Sequence, residues 1–363
     1  MSLMQKTVRA DVQATQAYVV APAQGMVKLD AMENPQGMPT ELLDALADAL
    51  KAVALNRYPE PKAASLEAAL RAHSDIPKAA QVLFGNGSDE LIDLIIRACC
   101  MPGDVVMSPV PTFVMYAVYS QWSHAQFVGV DLNPDFTLNM PALLKAISAH
   151  QPKVVFLAYP NNPTGVALRE AEIVQVIKAA PGLVVVDEAY EAFADASFMS
   201  RVLEFPNVLV LRTFSKLGLA GVRLGYAVAS SAWAEQIDKV RPPYNVNVLT
   251  RTAVEFALKH FDAFEAQAAQ LKSNRETLRE ALQSLQNPQL AVEVFDSCAN
   301  FLLFRLPNAL EVFEGLKKKG ILIKYVGKAH PLLANCLRVT VSTEHENQQF
   351  LDALKQTLAE LAQ

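Results

Sequence analysis

Val208-Leu209-Val210-Leu211-Arg212-Thr213-Phe214-Ser215-Lys216-Leu217-Gly218-Leu219-Ala220-Gly221-Val222-Arg223-Leu224-Gly225-Tyr226-Ala227-Val228-Ala229 reads as a short apolar strand, a polar turn built around a lysine, and a second strand. The first run, Val208–Arg212, has the length and β-branched content of a buried strand, and the second occupies Gly225–Ala229. Similar runs occur at Val105–Met107, Val154–Ala158 and Leu183–Val186, with helix-like segments between them. That alternation is the pattern of a parallel sheet crossed by helices, so an α/β architecture is expected. Each run stops at polar, Gly or Pro residues, and in open α/β sheets ligands sit outside the carboxyl ends of the strands. The chemistry is therefore expected at those ends.

Working outward, apolar residues recur at helical spacing from Thr40 to Ala54, with Thr40 read as the N-cap behind Pro39, and again from Ser65 to Ala72. After the Arg241-Pro242-Pro243 break, helix is expected from about Val248 to Leu285. Strands then follow at Phe301–Arg305, Leu322–Tyr325 and Leu337–Ser342, and a last helix at Glu346–Ala362. This organisation suggests a large domain over 31–260, and a smaller α/β domain made of 261–363 together with an N-terminal arm, 1–30.

The 363 residues are 52% apolar, ample for a large buried core. A net charge of -5 provides no basic surface for a phosphate backbone, so nucleic acid is not expected as a partner, and an anionic ligand must be held by local groups. The longest apolar runs are of strand length, far short of a membrane span. Met1-Ser2-Leu3-Met4 lacks the charged and apolar regions of a secretory signal, so a cytoplasmic location is expected. Cys99, Cys100, Cys298 and Cys336 form no CxxC pair and are expected as buried thiols in a reducing compartment. The six histidines are scattered, nothing resembles HExxH, and no metal site is expected.

Four segments carry residues suited to chemistry. In the opening run, Lys216 offers an amine, Thr213 and Ser215 offer hydroxyls to a phosphate, and Arg223 offers a neutralising guanidinium, a set that suits a carbonyl-bearing cofactor with a phosphate tail. Alone, it is equally a polar turn. Val184-Val185-Val186-Asp187-Glu188-Ala189-Tyr190 ends a strand in a carboxylate able to keep the pyridine nitrogen of pyridoxal 5′-phosphate (PLP) protonated, with Tyr190 placed to bond the ring's phenolic oxygen. The alternative there is a helix N-cap followed by an exposed tyrosine. Tyr159-Pro160-Asn161-Asn162-Pro163-Thr164-Gly165 is a proline-fixed loop in which the Asn162 amide can donate to the same oxygen. Gly85-Asn86-Gly87-Ser88-Asp89-Glu90 precedes an apolar helix, so Gly87, Ser88 and Asp89 would turn backbone N–H groups towards an anion. A simple capped helix is the other reading.

In this order, the four segments resemble the fold-type I PLP-dependent aminotransferases, and the resemblance covers most of the chain. Ala31-Met32-Glu33-Asn34-Pro35, Arg57-Tyr58-Pro59, Gly87-Ser88-Asp89-Glu90 and Cys336-Leu337-Arg338-Val339-Thr340-Val341 resemble the branch that acts on histidinol phosphate in histidine biosynthesis. The resemblance implies a large domain with a mostly parallel central sheet flanked by helices, plus a smaller α/β domain. It implies a PLP-linked Lys216 and transfer of the amino group of L-histidinol phosphate to 2-oxoglutarate, giving imidazole-acetol phosphate and L-glutamate. Phe113 would stack on the cofactor ring. Tyr58 would reach the phosphate in a neighbouring subunit, which implies a homodimer. Arg338 would hold the substrate's anionic end, with Tyr18 and Asn34 in the same pocket.

Two features depart from the family pattern. Lys324, about fourteen residues before Arg338, stands where relatives have a second arginine, and it keeps the charge without the planar fork. The spacing from Lys216 to Arg223 is one residue shorter than in many relatives. Rivals on the same fold are an aromatic amino-acid aminotransferase and a threonine-phosphate decarboxylase. A non-catalytic cofactor-binding regulator would need a basic DNA-binding module, which the sequence lacks. A P-loop or dinucleotide enzyme would need GK[ST] or GxxG after Gly85-Asn86-Gly87, and neither follows.

Overall fold

A computed structural model describes residues 2–17, 20–285 and 290–362. Tyr18 lies outside the described residues. The largest sheet has seven strands in the spatial order Gln81–Asn86, Leu224–Ala229, Val208–Thr213, Leu183–Asp187, Val154–Ala158, Val105–Val110, Gln126–Asp131. Six run in one direction and only Leu224–Ala229 runs against them. The mostly parallel α/β sheet expected from the alternation is therefore present.

Val154–Ala158 is apolar throughout, and Leu183–Asp187 and Val208–Thr213 are apolar up to their carboxyl ends, because helices cover both faces of the sheet. Successive side chains point to opposite faces, so Val184 and Val186 join one apolar cluster while Leu183 and Val185 join the other. The helix Gly87–Cys99 places Leu91, Ile92 and Ile95 on the second cluster, and the helix Glu170–Ala179 places Ile173 and Val176 on the first. Two strands, Gln81–Asn86 and Gln126–Asp131, escaped the sequence reading, since each mixes polar and apolar residues at a sheet edge.

A smaller antiparallel sheet orders Lys324–Tyr325, Cys336–Thr340, Phe301–Arg305 and Glu293–Val294. The N-terminal strand Val27–Lys28 pairs in parallel with Ile321–Leu322. Thr340 N–H then donates to Leu29 O at 2.9 Å, Met32 N–H to Thr340 Oγ1 at 3.0 Å, and Asn300 Nδ2 to Met32 O at 3.0 Å. These bonds carry residues 31–34 from the small sheet to the carboxyl edge of the large one.

Local boundaries differ from expectation in several places. Pro39, not Thr40, is the N-cap of the helix Thr40–Lys51, which stops before Ala54. The stretch from Val248 is broken at His260 into Val248–Lys259 and Phe261–Gln283. The run Leu322–Tyr325 is split between two sheets, and the last helix spans Glu344–Leu361. Of the cysteines, only Cys336 is fully buried; Cys99, Cys100 and Cys298 are half-buried, and all four are free thiols. Among the described residues, no helix is long and apolar enough to cross a membrane, and no His, Cys, Asp or Glu cluster could hold a metal ion.

Candidate active site

A cavity of about 350 Å³ opens at the carboxyl edge of the large sheet. Strand ends supply its walls: Val105–Val110 leads to Phe113, Val154–Ala158 to Asn162, Leu183–Asp187 to Tyr190, and Val208–Thr213 to Ser215 and Lys216. Leu224–Ala229 runs the opposite way, so Arg223, just before it, arrives at the same edge. The four segments singled out in the sequence thus meet in one place, as the parallel-sheet rule requires.

Lys216 follows the strand directly, in the irregular turn Ser215–Leu219, where Gly218 takes φ 120°. Its Nζ donates to Ala31 O at 3.1 Å and lies 5.8 Å from the centre of the Tyr190 ring. Burial, reinforced by the positive charge of Arg338, pushes the amine's pKa down to about 8. A lysine in this state is neutral much more often than a surface lysine, and neutral amine is the form that attacks a carbonyl.

Asp187 ends its strand 5% exposed and accepts two hydrogen bonds, from Tyr116 Oη at 2.5 Å and from Ala189 N–H at 3.1 Å. Burial raises its pKa to about 6, while both bonds pull it back. Tyr190 is 5% exposed and packs edge-on against Phe301, which overturns the alternative of an exposed tyrosine after a helix cap. Tyr116 was missed by the sequence reading. It is wholly buried, stacks on Phe156 at 4.4 Å, and meets Phe113 edge-on at 5.6 Å. Nothing in the sequence around it signalled a buried hydroxyl, since the helix Met115–Trp122 begins only after Phe113.

At the other end of the cavity, Thr213 Oγ1 and Ser215 Oγ lie 2.9 Å apart, and Arg223 donates to Ser215 Oγ at 3.4 Å and to Asp89 Oδ2 at 3.3 Å. With the shorter Lys216–Arg223 spacing, the guanidinium reaches Ser215 and lines the cavity. Helix Gly87–Cys99 starts here, bringing Ser88 and Asp89 into the wall. Gly87 has φ +74°, and a Cβ on it would sit 2.7 Å from Arg223 Nη2. One on Gly225 would sit 2.5 Å from Ser88 N. Glycine at both positions lets backbone and guanidinium converge around a space rich in donors, as an oxyanion group requires.

Arg338 is 7% exposed and sits just behind the wall. It donates to Asn162 Oδ1 at 2.5 Å and to Asp30 O at 2.8 Å, and its guanidinium lies 5.4 Å from the Phe301 ring centre. Asn162, whose Oδ1 accepts this bond, lines the cavity. Lys324 pairs directly with Arg338 across the small sheet, which puts both on one face, but Lys324 does not line the cavity. Asn34 departs from its expected place in the pocket: its Nδ2 donates to Leu217 O at 3.2 Å and to Gln267 Oε1 at 2.8 Å, so it braces the Lys216 turn from outside. Tyr58 is 81% exposed and away from the cavity, stacked on Tyr244.

A buried ion pair that the sequence did not reveal lies next to Asp187. Glu188 accepts from Arg212 Nε at 2.9 Å, from Ser197 Oγ at 2.9 Å and from Phe198 N–H. Its hydrogen-bonding capacity is filled, which is what makes a buried carboxylate tolerable. The network fixes the chain immediately after Asp187.

The family model for aminotransferase class I and II matches residues 24–354. Histidinol-phosphate aminotransferase 2 of Cupriavidus pinatubonensis is 51% identical over 362 residues, covering 98% of each chain. Histidinol-phosphate aminotransferase 1 of Ralstonia nicotianae is 53% identical over 361 residues, covering 98% of this chain and 96% of that one. Among solved structures, the histidinol-phosphate aminotransferase of Sinorhizobium meliloti in complex with pyridoxal-5′-phosphate superposes with TM-score 0.87 at 24% identity, covering 98% of both chains, a likeness of fold. With half of its residues shared with such relatives from end to end, the chain belongs to the class I and II aminotransferases and, within them, to the histidinol-phosphate aminotransferase family.

Proposed function

We propose that this chain transfers the amino group of L-histidinol phosphate to 2-oxoglutarate, with PLP as cofactor, yielding imidazole-acetol phosphate and L-glutamate in histidine biosynthesis. The observation that carries the reading is the convergence of a buried amine with a pKa of about 8 and a buried carboxylate on one cavity. The donor set fits the cofactor: an amine for the aldehyde, Asp187 for the ring nitrogen, and Thr213, Ser215, Arg223 and the helix start at Gly87 for the phosphate. Tyr190 and the Asn162 amide are suited to the phenolic oxygen, and Phe113 to one face of the ring.

When bound, PLP supplies an electron sink for the substrate carbon that loses its proton. Lys216 would hold the cofactor through its amine, and the same amine, when free, would take and return the substrate's proton as general base and acid. Its lowered pKa suits both tasks near neutral pH. Asp187 keeps a proton on the ring nitrogen, and Tyr116 keeps Asp187 charged and aimed. Arg338 binds the anion of either substrate, a phosphate in one half-reaction and a carboxylate in the other, with a planar fork that matches both. Lys324, on the same sheet face, adds positive charge to that end.

The same reading makes the working unit a homodimer, with Tyr58 reaching the phosphate in its partner's site. The exposure of Tyr58 supports it, as does the open phosphate end, where the side chains of Arg223 and Asp89 are 49% and 36% exposed. We assign 31–260 as the cofactor-binding unit and the remainder as the smaller one, and a cytoplasmic location. The test is an amino-donor panel read by the spectral change of the bound cofactor. L-histidinol phosphate should convert it far faster than phenylalanine, tyrosine or O-phosphothreonine. Equal or faster conversion by an unphosphorylated aromatic amino acid would move the chain to the aromatic rival, and loss of carbon dioxide from O-phosphothreonine would move it to the decarboxylase.

A further inference from the structure

We propose that Tyr244 is a positioning residue: it holds Tyr58 in the orientation from which Tyr58 serves the partner subunit's cofactor phosphate. The inference rests on the reading that Tyr58 crosses between subunits, and it goes beyond it by naming what aims the crossing side chain. The Tyr58 and Tyr244 rings are stacked, with centres 4.6 Å apart and planes 17° from parallel. Both are exposed, Tyr58 at 81% and Tyr244 at 41%. Two large aromatic side chains exposed to water and stacked on each other form a surface that a second copy would cover.

The two members of the pair are not held alike. Tyr244 sits at φ +57° behind Pro242-Pro243, on a loop pinned on several sides. The next residue, Asn245, donates through Nδ2 to Phe84 O at 3.0 Å and to Glu90 Oε2 at 2.8 Å, and accepts from Arg241 at 2.7 Å and, on its backbone oxygen, from Asn86 Nδ2 at 2.6 Å. Val246 is buried at 1% and Asn247 caps the helix Val248–Lys259. Tyr58, by contrast, precedes Pro59 on a segment between two helices, and its ring has Tyr244 as its aromatic neighbour. The ring on the pinned loop therefore orders the exposed ring stacked on it. An ordered hydroxyl loses less conformational freedom when it meets a phosphate, and the gain appears as affinity.

The structure also suggests why this matters at the partner's site. The phosphate end of the cavity is the end this chain leaves open, so a hydroxyl arriving from outside has a place to bind. Glu90, which anchors Asn245, belongs to the helix whose start lines this chain's own phosphate end. One rigid unit thus serves two sites, its own through Ser88 and Asp89 and the partner's through Tyr244 and Tyr58.

The experiment measures PLP affinity of the holoenzyme by cofactor release and re-titration, with the thermal midpoint followed in parallel. Tyr58→Phe should weaken PLP binding, and Tyr244→Leu should weaken it by roughly two- to tenfold, the range expected for losing an aromatic pair. Tyr244→Phe, which keeps the ring, should restore near-normal affinity. In the Tyr58→Phe background, Tyr244→Leu should add little, because the hydroxyl it aims is already gone. Subunits carrying Lys216→Ala mixed with subunits carrying Tyr244→Leu should give hybrids with one site of normal affinity, whose Tyr58 and Tyr244 both come from the Lys216→Ala chain. Additive losses in the double variant, or hybrids that keep the weak affinity, would overturn the inference while leaving the crossing of Tyr58 intact. A Tyr58→Phe enzyme with unchanged affinity would overturn the crossing itself.

Discussion

Tyr116 Oη donates to Asp187 Oδ2 at 2.5 Å, and both side chains are buried, the tyrosine completely. A carboxylate at such depth would be neutral near pH 7 without help. The tyrosine hydroxyl and the Ala189 N–H hold its pKa to about 6 against a larger opposing push from burial.

Replacing Tyr116 by phenylalanine removes the donor and keeps the stack on Phe156. A hydrogen bond to a charged group contributes roughly 1.5–3 kcal/mol, so the Asp187 titration should move upward by about one to two pH units. Carbon-detected NMR of the Asp187 carboxyl in the apoprotein would read this. The wild-type midpoint belongs near 6, and an unchanged or lower midpoint in the variant would contradict the role given to Tyr116.

The amine of Lys216 should control how fast the apoprotein captures its cofactor. With a pKa of about 8, capture should accelerate as pH rises towards 8 and level off above it, rather than climbing towards the ordinary lysine value of 10.5. Because the folded state disfavours the charged amine, the associated loss of stability is full below about pH 8 and disappears above 10.5. Apoprotein stability should therefore rise between those values, and Lys216→Met should abolish that rise. Stopped-flow absorbance and pH-dependent melting measure the two effects.

Gly87→Ala tests the phosphate end. The φ of +74° costs an alanine roughly 1 kcal/mol, and its Cβ would press on Arg223 Nη2. PLP affinity should fall by about tenfold or more, whereas affinity for pyridoxal, which lacks the phosphate, should change little. Equal losses for both ligands would show that Gly87 matters only to the fold.

Arg338→Lys replaces a planar fork by a point charge and leaves Asn162 Oδ1 or Asp30 O without its partner. KM should rise for both L-histidinol phosphate and 2-oxoglutarate, by roughly tenfold or more, since one guanidinium is assigned to both anions. A rise confined to one substrate, measured by steady-state kinetics at fixed co-substrate, would require a second anion site, for which Lys324 is the candidate.

The parts of this site legible in the sequence are those whose position follows from strand ends. Lys216, Asp187 and Asn162 each follow an apolar run, and the parallel sheet brings such positions together, whereas Gly87 was legible from the apolar helix that it starts. Tyr116 was illegible because its partner is seventy-one residues away and its helix gives no sign of an inward hydroxyl. Glu188 and Arg212 looked like ordinary polar residues at strand ends, and only the packed structure reveals them as a buried ion pair. Asn34 was read for its motif, yet its amide bonds Leu217 and Gln267 instead. The edge strands were missed for a related reason: one side of each faces polar surroundings, and the apolar run breaks up.

The most direct test is borohydride reduction of the purified protein after saturation with PLP, followed by peptide mapping, in wild type and Lys216→Ala. The wild type should be yellow, lose that colour on reduction, and carry the pyridoxyl group on Lys216. Lys216→Ala should remain folded, carry no fixed cofactor and turn over no substrate. A labelled lysine elsewhere, or turnover by the alanine variant, would contradict the assignment.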